Sequence, residues 1–71
     1  MDTFVNLKEV NKSIIRSNIE VEFDMLESQD LLTREKMIEI AFDKARTQIK
    51  DIDDADSIAV EILYEDYNIE V

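Results

Sequence analysis

Residues 19–25 read Ile-Glu-Val-Glu-Phe-Asp-Met, and this stretch decides the fold that the sequence predicts. Apolar and acidic side chains alternate along it without exception. In an extended chain, four apolar side chains would share one face and three carboxylates the other. Such alternation is typical of a half-buried β-strand, so we predict a strand whose apolar face packs on the core.

A second alternating run follows at residues 58–65, which read Ile-Ala-Val-Glu-Ile-Leu-Tyr-Glu. Ala59 and Leu63 make its second face more apolar than that of residues 19–25, which indicates a central strand. Residues 67–71 resume the alternation one position out of phase. This shift predicts a third strand, reached through a bulge or a tight turn at Glu65 and Asp66.

Residues 34–50 have the period of a helix. On a helical wheel, six apolar side chains fall in one arc about 140° wide: Met37, Ile38, Ala41, Phe42, Ala45 and Ile49. Thr33 is a favourable N-cap, and Glu35 lies in the first turn, where the helix dipole favours a carboxylate. Ile40 falls outside the arc and is predicted to be exposed.

Residues 4–16 fit two structures. As a helix they place their apolar side chains in one arc, with Lys8, Lys12 and Arg16 in a row beside it. As a strand, residues 4–10 suit the β-branched and aromatic composition but lose alternation after Leu7. We favour the helix, with Asn18 as its left-handed C-terminal stop.

Together these elements predict an α+β fold: a single domain over residues 1–71 with the order α-β-α-β-β. Two helices would lie on one face of a small, mostly antiparallel sheet. The sequence contains no Gly and no Pro, so turns are expected at clusters of Asn, Asp and Ser, at residues 17–18, 27–30 and 51–57. It also contains no Cys and no His, so packing alone must hold the core.

Charge is distributed very unevenly along the chain. The formal net charge of −10 divides into +1 for residues 1–16, −5 for residues 17–33, +2 for residues 34–50 and −8 for residues 51–71. This alternation predicts that basic helices lie against acidic strands, with the Lys8, Lys12 and Arg16 row neutralising neighbouring carboxylates. An acidic field repels nucleic acids and anionic membranes, so neither is an expected partner.

The composition argues against catalysis, cofactors and a dedicated metal site. Without His, no serine has the usual base to activate it. The acidic residues 51–56 resemble a calcium loop in composition, but their spacing is wrong, because Ala55 and Ile62 fall on ligand positions and Asp56 falls where glycine is required. The first residues lack the features of a signal peptide and no run is long enough to span a membrane, so we expect a cytoplasmic location.

Binding remains the favoured function. In a strand, Glu20, Glu22 and Asp24 would project from one face at intervals of about 6.6 Å, as a regular row of negative charge. With the acidic turn and the neighbouring strand, this row would present to a basic cleft much of what a DNA backbone presents. The predicted partner-binding residues are Glu20, Glu22, Asp24, Asp53, Asp54, Asp56, Glu61, Glu65 and Asp66.

We therefore predict a small acidic protein-binding module that acts as an inhibitor. It would occupy a basic or nucleic-acid-binding surface of a larger protein. In size and charge the chain resembles the small acidic proteins with which bacteriophages block host nucleases, polymerases and defence complexes. That resemblance is one of composition and assigns no site residues.

A structural or assembly protein is the alternative. Its homo-oligomer would form through an exposed strand edge and the apolar outer positions Ala59, Leu63 and Tyr67. The acidic strand face would then serve solubility and protect the sheet edge from aggregation. The sequence leaves the oligomeric state open.

Overall fold

A computed structural model describes residues 7–71. Over these residues the chain forms three α-helices and no strand: α1 (Leu7–Ser28), α2 (Arg34–Gln48) and α3 (Ile52–Tyr67). The predicted α+β fold is therefore wrong. Two of the three predicted strands, residues 19–25 and 58–65, lie inside helices, and residues 68–71 of the third form neither helix nor strand.

The alternating stretch of residues 19–25 is the middle of α1. Ile15, Ile19 and Phe23 are buried, and they follow one another at intervals of four residues, about one helical turn. Val21 and Met25, which a strand would bury with Ile19 and Phe23, are 60% and 53% exposed. The alternation was misleading because residues four apart share a face in both structures. Ile19 and Phe23 therefore fit the two-residue period of a strand and the 3.6-residue period of a helix.

Residues 58–64 likewise belong to α3, whose buried face has helical spacing. Its members, all at most 1% exposed, are Ala55, Ile58, Ala59, Ile62 and Leu63. Val60 and Tyr64, assigned to the buried strand face, are 36% and 56% exposed. Ala59 and Leu63 are core residues of this helix, and so are not available to form the apolar oligomer surface that the sequence suggested.

The predicted helix near the N-terminus is confirmed from Leu7 onward, but its predicted end at Asn18 is wrong. The helix passes through Asn18 and ends at Ser28, while the predicted start at residue 4 lies outside the described residues. Asp30 adopts a left-handed φ of 61°. The Leu31 N–H donates to the Leu26 carbonyl over 2.9 Å, which closes a Schellman-type end where most proteins use glycine.

α2 agrees closely with its prediction. Thr33 is the N-cap, and its Oγ1 accepts a hydrogen bond from the Lys36 N–H over 3.1 Å. Ala41 and Ala45 are fully buried in the predicted arc. Ile40 departs from expectation, because it is partly buried and packs against the core.

α3 replaces the second predicted strand and the predicted turn after it, while residues 68–71 of the third predicted strand follow the helix and form neither helix nor strand. Asp51 caps its first turn by accepting from the Asp54 N–H over 3.2 Å. Asn68, at φ 57°, ends the helix, so Glu65 and Asp66 form part of its last turns and not a hairpin. Ile69 is only 7% exposed, and its N–H donates to the Leu63 carbonyl over 2.9 Å.

The helices pack with α2 against both α1 and α3. Short connections make sequential helices antiparallel, and so α1 and α3 run in the same direction. Residues of α1 meet residues of α3 in ascending order, ending at Phe23, whose ring meets the edge of Tyr67 at a centroid distance of 4.9 Å. Over the described residues, no helix combines the length and the apolar character that crossing a bilayer requires.

The helical phase of α1 predicts opposite outcomes for two substitutions two residues apart. Phe23→Ala should cost about 3–5 kcal/mol, because the ring is buried against Tyr67, and this is a large part of the stability of a small domain. Val21 is 60% exposed, so Val21→Ala, measured on protein dilute enough to be monomeric, should change stability by less than about 0.5 kcal/mol. Urea unfolding followed by circular dichroism measures both, and comparable losses would contradict the helix in favour of the strand.

Candidate acidic binding surface

Lys12 of α1 forms the central ion pairs between α1 and α3. Its Nζ lies 2.9 Å from Oε1 of Glu61 and 3.1 Å from Oε1 of Glu65. The Lys12 side chain is only 13% exposed, whereas the two carboxylates remain 40% and 50% exposed. One ammonium therefore bridges two acids that are one turn apart on α3.

Arg16, one turn further along α1, extends this network. Its Nε donates to Oδ2 of Asp66 over 2.6 Å, and its Nη2 donates to Oε1 of Glu65 over 3.2 Å. Lys12 and Arg16 thus neutralise carboxylates of a neighbouring element, which confirms that interpretation of the basic row. The acidic neighbour is a helix and not a strand.

α2 contributes two further ion pairs. The Arg46 guanidinium donates through Nε and Nη2 to the two carboxylate oxygens of Asp56 over 2.9 and 3.0 Å, and lies over the Phe42 ring at 5.7 Å. Lys44 Nζ lies 3.6 Å from Oε1 of Glu22 on α1. Both pairs join α2 to a neighbouring helix.

These contacts shift the ionisation of the paired groups. The hydrogen bond from Lys12, reinforced by its charge, lowers the pKa of Glu61, and the hydrogen bond to Glu61 raises the pKa of Lys12. The hydrogen bond from Arg46 lowers the pKa of Asp56. Each pair therefore favours the charged state of both partners.

The nine predicted partner-binding residues consequently separate into two groups. Five form ion pairs within the bundle: Glu22, Asp56, Glu61, Glu65 and Asp66. The other four are exposed and form no ion pair with a base among residues 7–71: Glu20, Asp24, Asp53 and Asp54.

The predicted straight row of Glu20, Glu22 and Asp24 is not formed. A helix rotates by about 100° per residue, so Glu22 points toward α2 and pairs with Lys44, while Glu20 and Asp24 lie one turn apart on another side of α1. Asp53 and Asp54 lie in the first turn of α3, where the helix dipole stabilises carboxylates. This interaction with the helix dipole explains the position of Asp53 and Asp54 without any binding partner.

The ionisation of Tyr67 is affected by Glu20 and Asp24. Burial raises the pKa of its phenol, and the negative charges of Asp66, Glu20 and Asp24 add to the increase. Arg16 opposes this field, but it is already bonded to Asp66 and Glu65. We call Glu20, Asp24 and the adjoining Tyr67 the acidic edge. The sequence predicted the two acids as binding residues but placed Tyr67 in an oligomer surface, whereas the structure packs the Tyr67 ring against Phe23 of α1.

Two further features of the described residues concern metal ions and small ligands. Among residues 7–71, no three His, Cys, Asp or Glu side chains are arranged to hold a metal ion. An open groove of about 260 Å³ between the N-terminal ends of α1 and α3 is lined by both charged and apolar side chains, Lys8 and Asp54 among them. No family model, curated protein or solved structure matches this chain. The acidic surface described above is therefore the basis for a proposed function.

The Lys12 network predicts a pH-dependent contribution to stability. At pH 7, Lys12→Met should lower the free energy of unfolding by about 1 kcal/mol, since the pairs are partly exposed. Because the folded-state pKa of Glu61 is lowered, this stabilisation is fully present above the unfolded-state pKa. It is lost as the pH falls through the folded-state pKa. The difference between parent and variant should therefore shrink in acid.

Urea unfolding at several pH values between neutrality and strong acid measures this difference. The matched control is Lys36→Met on the exposed face of α2, which should be nearly neutral at every pH. A deficit for Lys12→Met that stayed constant with pH would assign its effect to packing of the lysine stem and not to the ion pairs.

Proposed function

We propose that this protein is a small acidic binding module that attaches to a basic surface of a larger protein through the acidic edge. The observation that carries the proposal is the contrast between paired and unpaired carboxylates. The acids of the middle and end of α3 are engaged by Lys12 and Arg16, whereas Glu20 and Asp24 stay exposed and unpaired within the described residues.

The geometry of the acidic edge suits a basic side chain. Residues four apart on a helix have neighbouring side chains, so Glu20 and Asp24 present two carboxylates about 5–6 Å apart at their Cβ atoms. An arginine or a pair of lysines from a partner would lie between them. The negative charges of this pair act on the phenol of Tyr67, an aromatic residue of the kind enriched at interfaces.

The consequence for the partner would be inhibition by occupation. A basic surface covered by this module is closed to nucleic acid, because both ligands require the same positive charge. Such inhibition does not require imitation of a regular phosphate row, which α1 does not present. It depends on the net charge of −10 and on a local pair of uncompensated carboxylates.

A synthetic peptide of mixed lysines and arginines tests the location of binding. Titrated into isotope-labelled protein, it should shift the amide resonances of α1 around Glu20 and Asp24 and those at the end of α3 around Tyr67. Glu20→Gln combined with Asp24→Asn should leave the fold intact and weaken binding about tenfold, because two charged contacts are removed.

The matched control is Glu39→Gln with Asp43→Asn. These two exposed acids also lie four residues apart and the change in net charge is identical, but they stand on α2 among basic neighbours. Binding by the control should be nearly unchanged. Equal weakening by both double variants, or shifts spread over every acidic residue, would show attraction by net charge alone and contradict a defined site.

A further inference from the structure

α1 carries a second apolar face that nothing in the described structure covers. Val10 and Ile14 are each 40% exposed, and Val21 and Met25 are 60% and 53% exposed. On a helical wheel these four residues fall within an arc of about 60°, roughly opposite the buried row of Ile15, Ile19 and Phe23. We call these four residues the α1 stripe.

Residues 1–6 cannot cover the whole stripe. Residues 1–6 span at most about 21 Å when fully extended. Met25 lies 18 residues beyond Leu7, which is about 27 Å along the helix axis. The stripe also continues over most of α1, whose 22 residues make a helix about 33 Å long. Its partner must therefore be elongated.

The intervals between the residues of the α1 stripe are the same in either direction along the helix. Its residues are separated by four, seven and four positions, with Ser17 and Asn18 at the centre. A two-fold axis between Ser17 and Asn18 would place Val10 of one copy opposite Met25 of a second, and Ile14 opposite Val21. Such self-complementarity is what a symmetric dimer interface requires. The small Ser17 at the centre permits close approach of the two helices.

Charge selects the antiparallel orientation. The N-terminal half of α1 contains three bases and one acid, whereas its C-terminal half, residues 18–28, contains four acids and no base. A parallel pair would bring eight carboxylates together along the C-terminal halves. An antiparallel pair sets each acidic half against the N-terminal half of the other copy, which reduces that repulsion.

We propose that two copies of this protein associate through the α1 stripe, with their α1 helices antiparallel and a two-fold axis between Ser17 and Asn18. The proposal does not depend on the proposed function. Glu20 and Asp24 lie beside the stripe and not within it, so a monomer could still carry the acidic edge. A dimer would carry two copies of it.

Disulfide formation tests both the contact and its direction, and the absence of native cysteine makes single-cysteine variants unambiguous. When Val10→Cys and Met25→Cys proteins are mixed and oxidised, a covalent heterodimer should form. Neither variant should link to itself, because the two copies of position 10 would be about 22 Å apart along the pair, beyond the reach of a disulfide. Self-linking of each variant would indicate a parallel pair, and no linking in any mixture would overturn the proposal.

Sedimentation equilibrium on the full chain supplies an independent measurement. The parent should be dimeric, and Val21→Glu should raise the dissociation constant more than tenfold, since each dimer buries the position twice. Ile52→Glu is the matched control, because Ile52 is 59% exposed against 60% for Val21 and lies at the start of α3. It should remain dimeric. Circular dichroism verifies that both variants are folded, and a monomeric parent would contradict the proposal.

Discussion

The bundle depends on the neutralisation of α3 by its neighbours. From residue 51 onward the sequence has eight acids and no base, yet α3 supplies the largest share of the core. Packing of such a helix is favoured where other helices bring positive charge to its rim. Lys12 and Arg16 do so from α1, and Arg46 does so from α2. Apolar burial then stabilises the contact, and the ion pairs fix which side of α3 faces which neighbour.

Neutralisation of α3 also determines where negative charge remains available. Glu61, Glu65 and Asp66 pair with bases of α1, so these acids of the most acidic part of the sequence are compensated although they remain partly exposed. In the C-terminal half of α1, Glu22 is the one acid of four that forms an ion pair within the described residues. In the proposed function, Glu20 and Asp24 are therefore more available to a partner than the paired acids of α3 that the sequence singled out with them.

α1 is the element on which both proposals converge. Its buried row of Ile15, Ile19 and Phe23 holds it to the bundle, its exposed acids form the acidic edge, and its second apolar face forms the α1 stripe. A helix needs only one apolar face to pack in a bundle this small. The second face is thus an observation that the stability of the monomer does not explain.

The sequence by itself determined α2, from its apolar arc and its Thr33 cap, because those signals are local. It also determined that a basic row would meet acidic residues, because charges so unevenly distributed must be compensated. It did not determine the type of the elements around residues 19–25 and 58–64. There, apolar residues at four-residue intervals satisfy the periods of strand and helix alike. Only the tertiary structure decided between them, by burying Ile15 with Ile19 and Ala59 with Leu63. These contacts require the neighbouring helices, so the choice between exposed and buried faces was made by packing and not by local pattern.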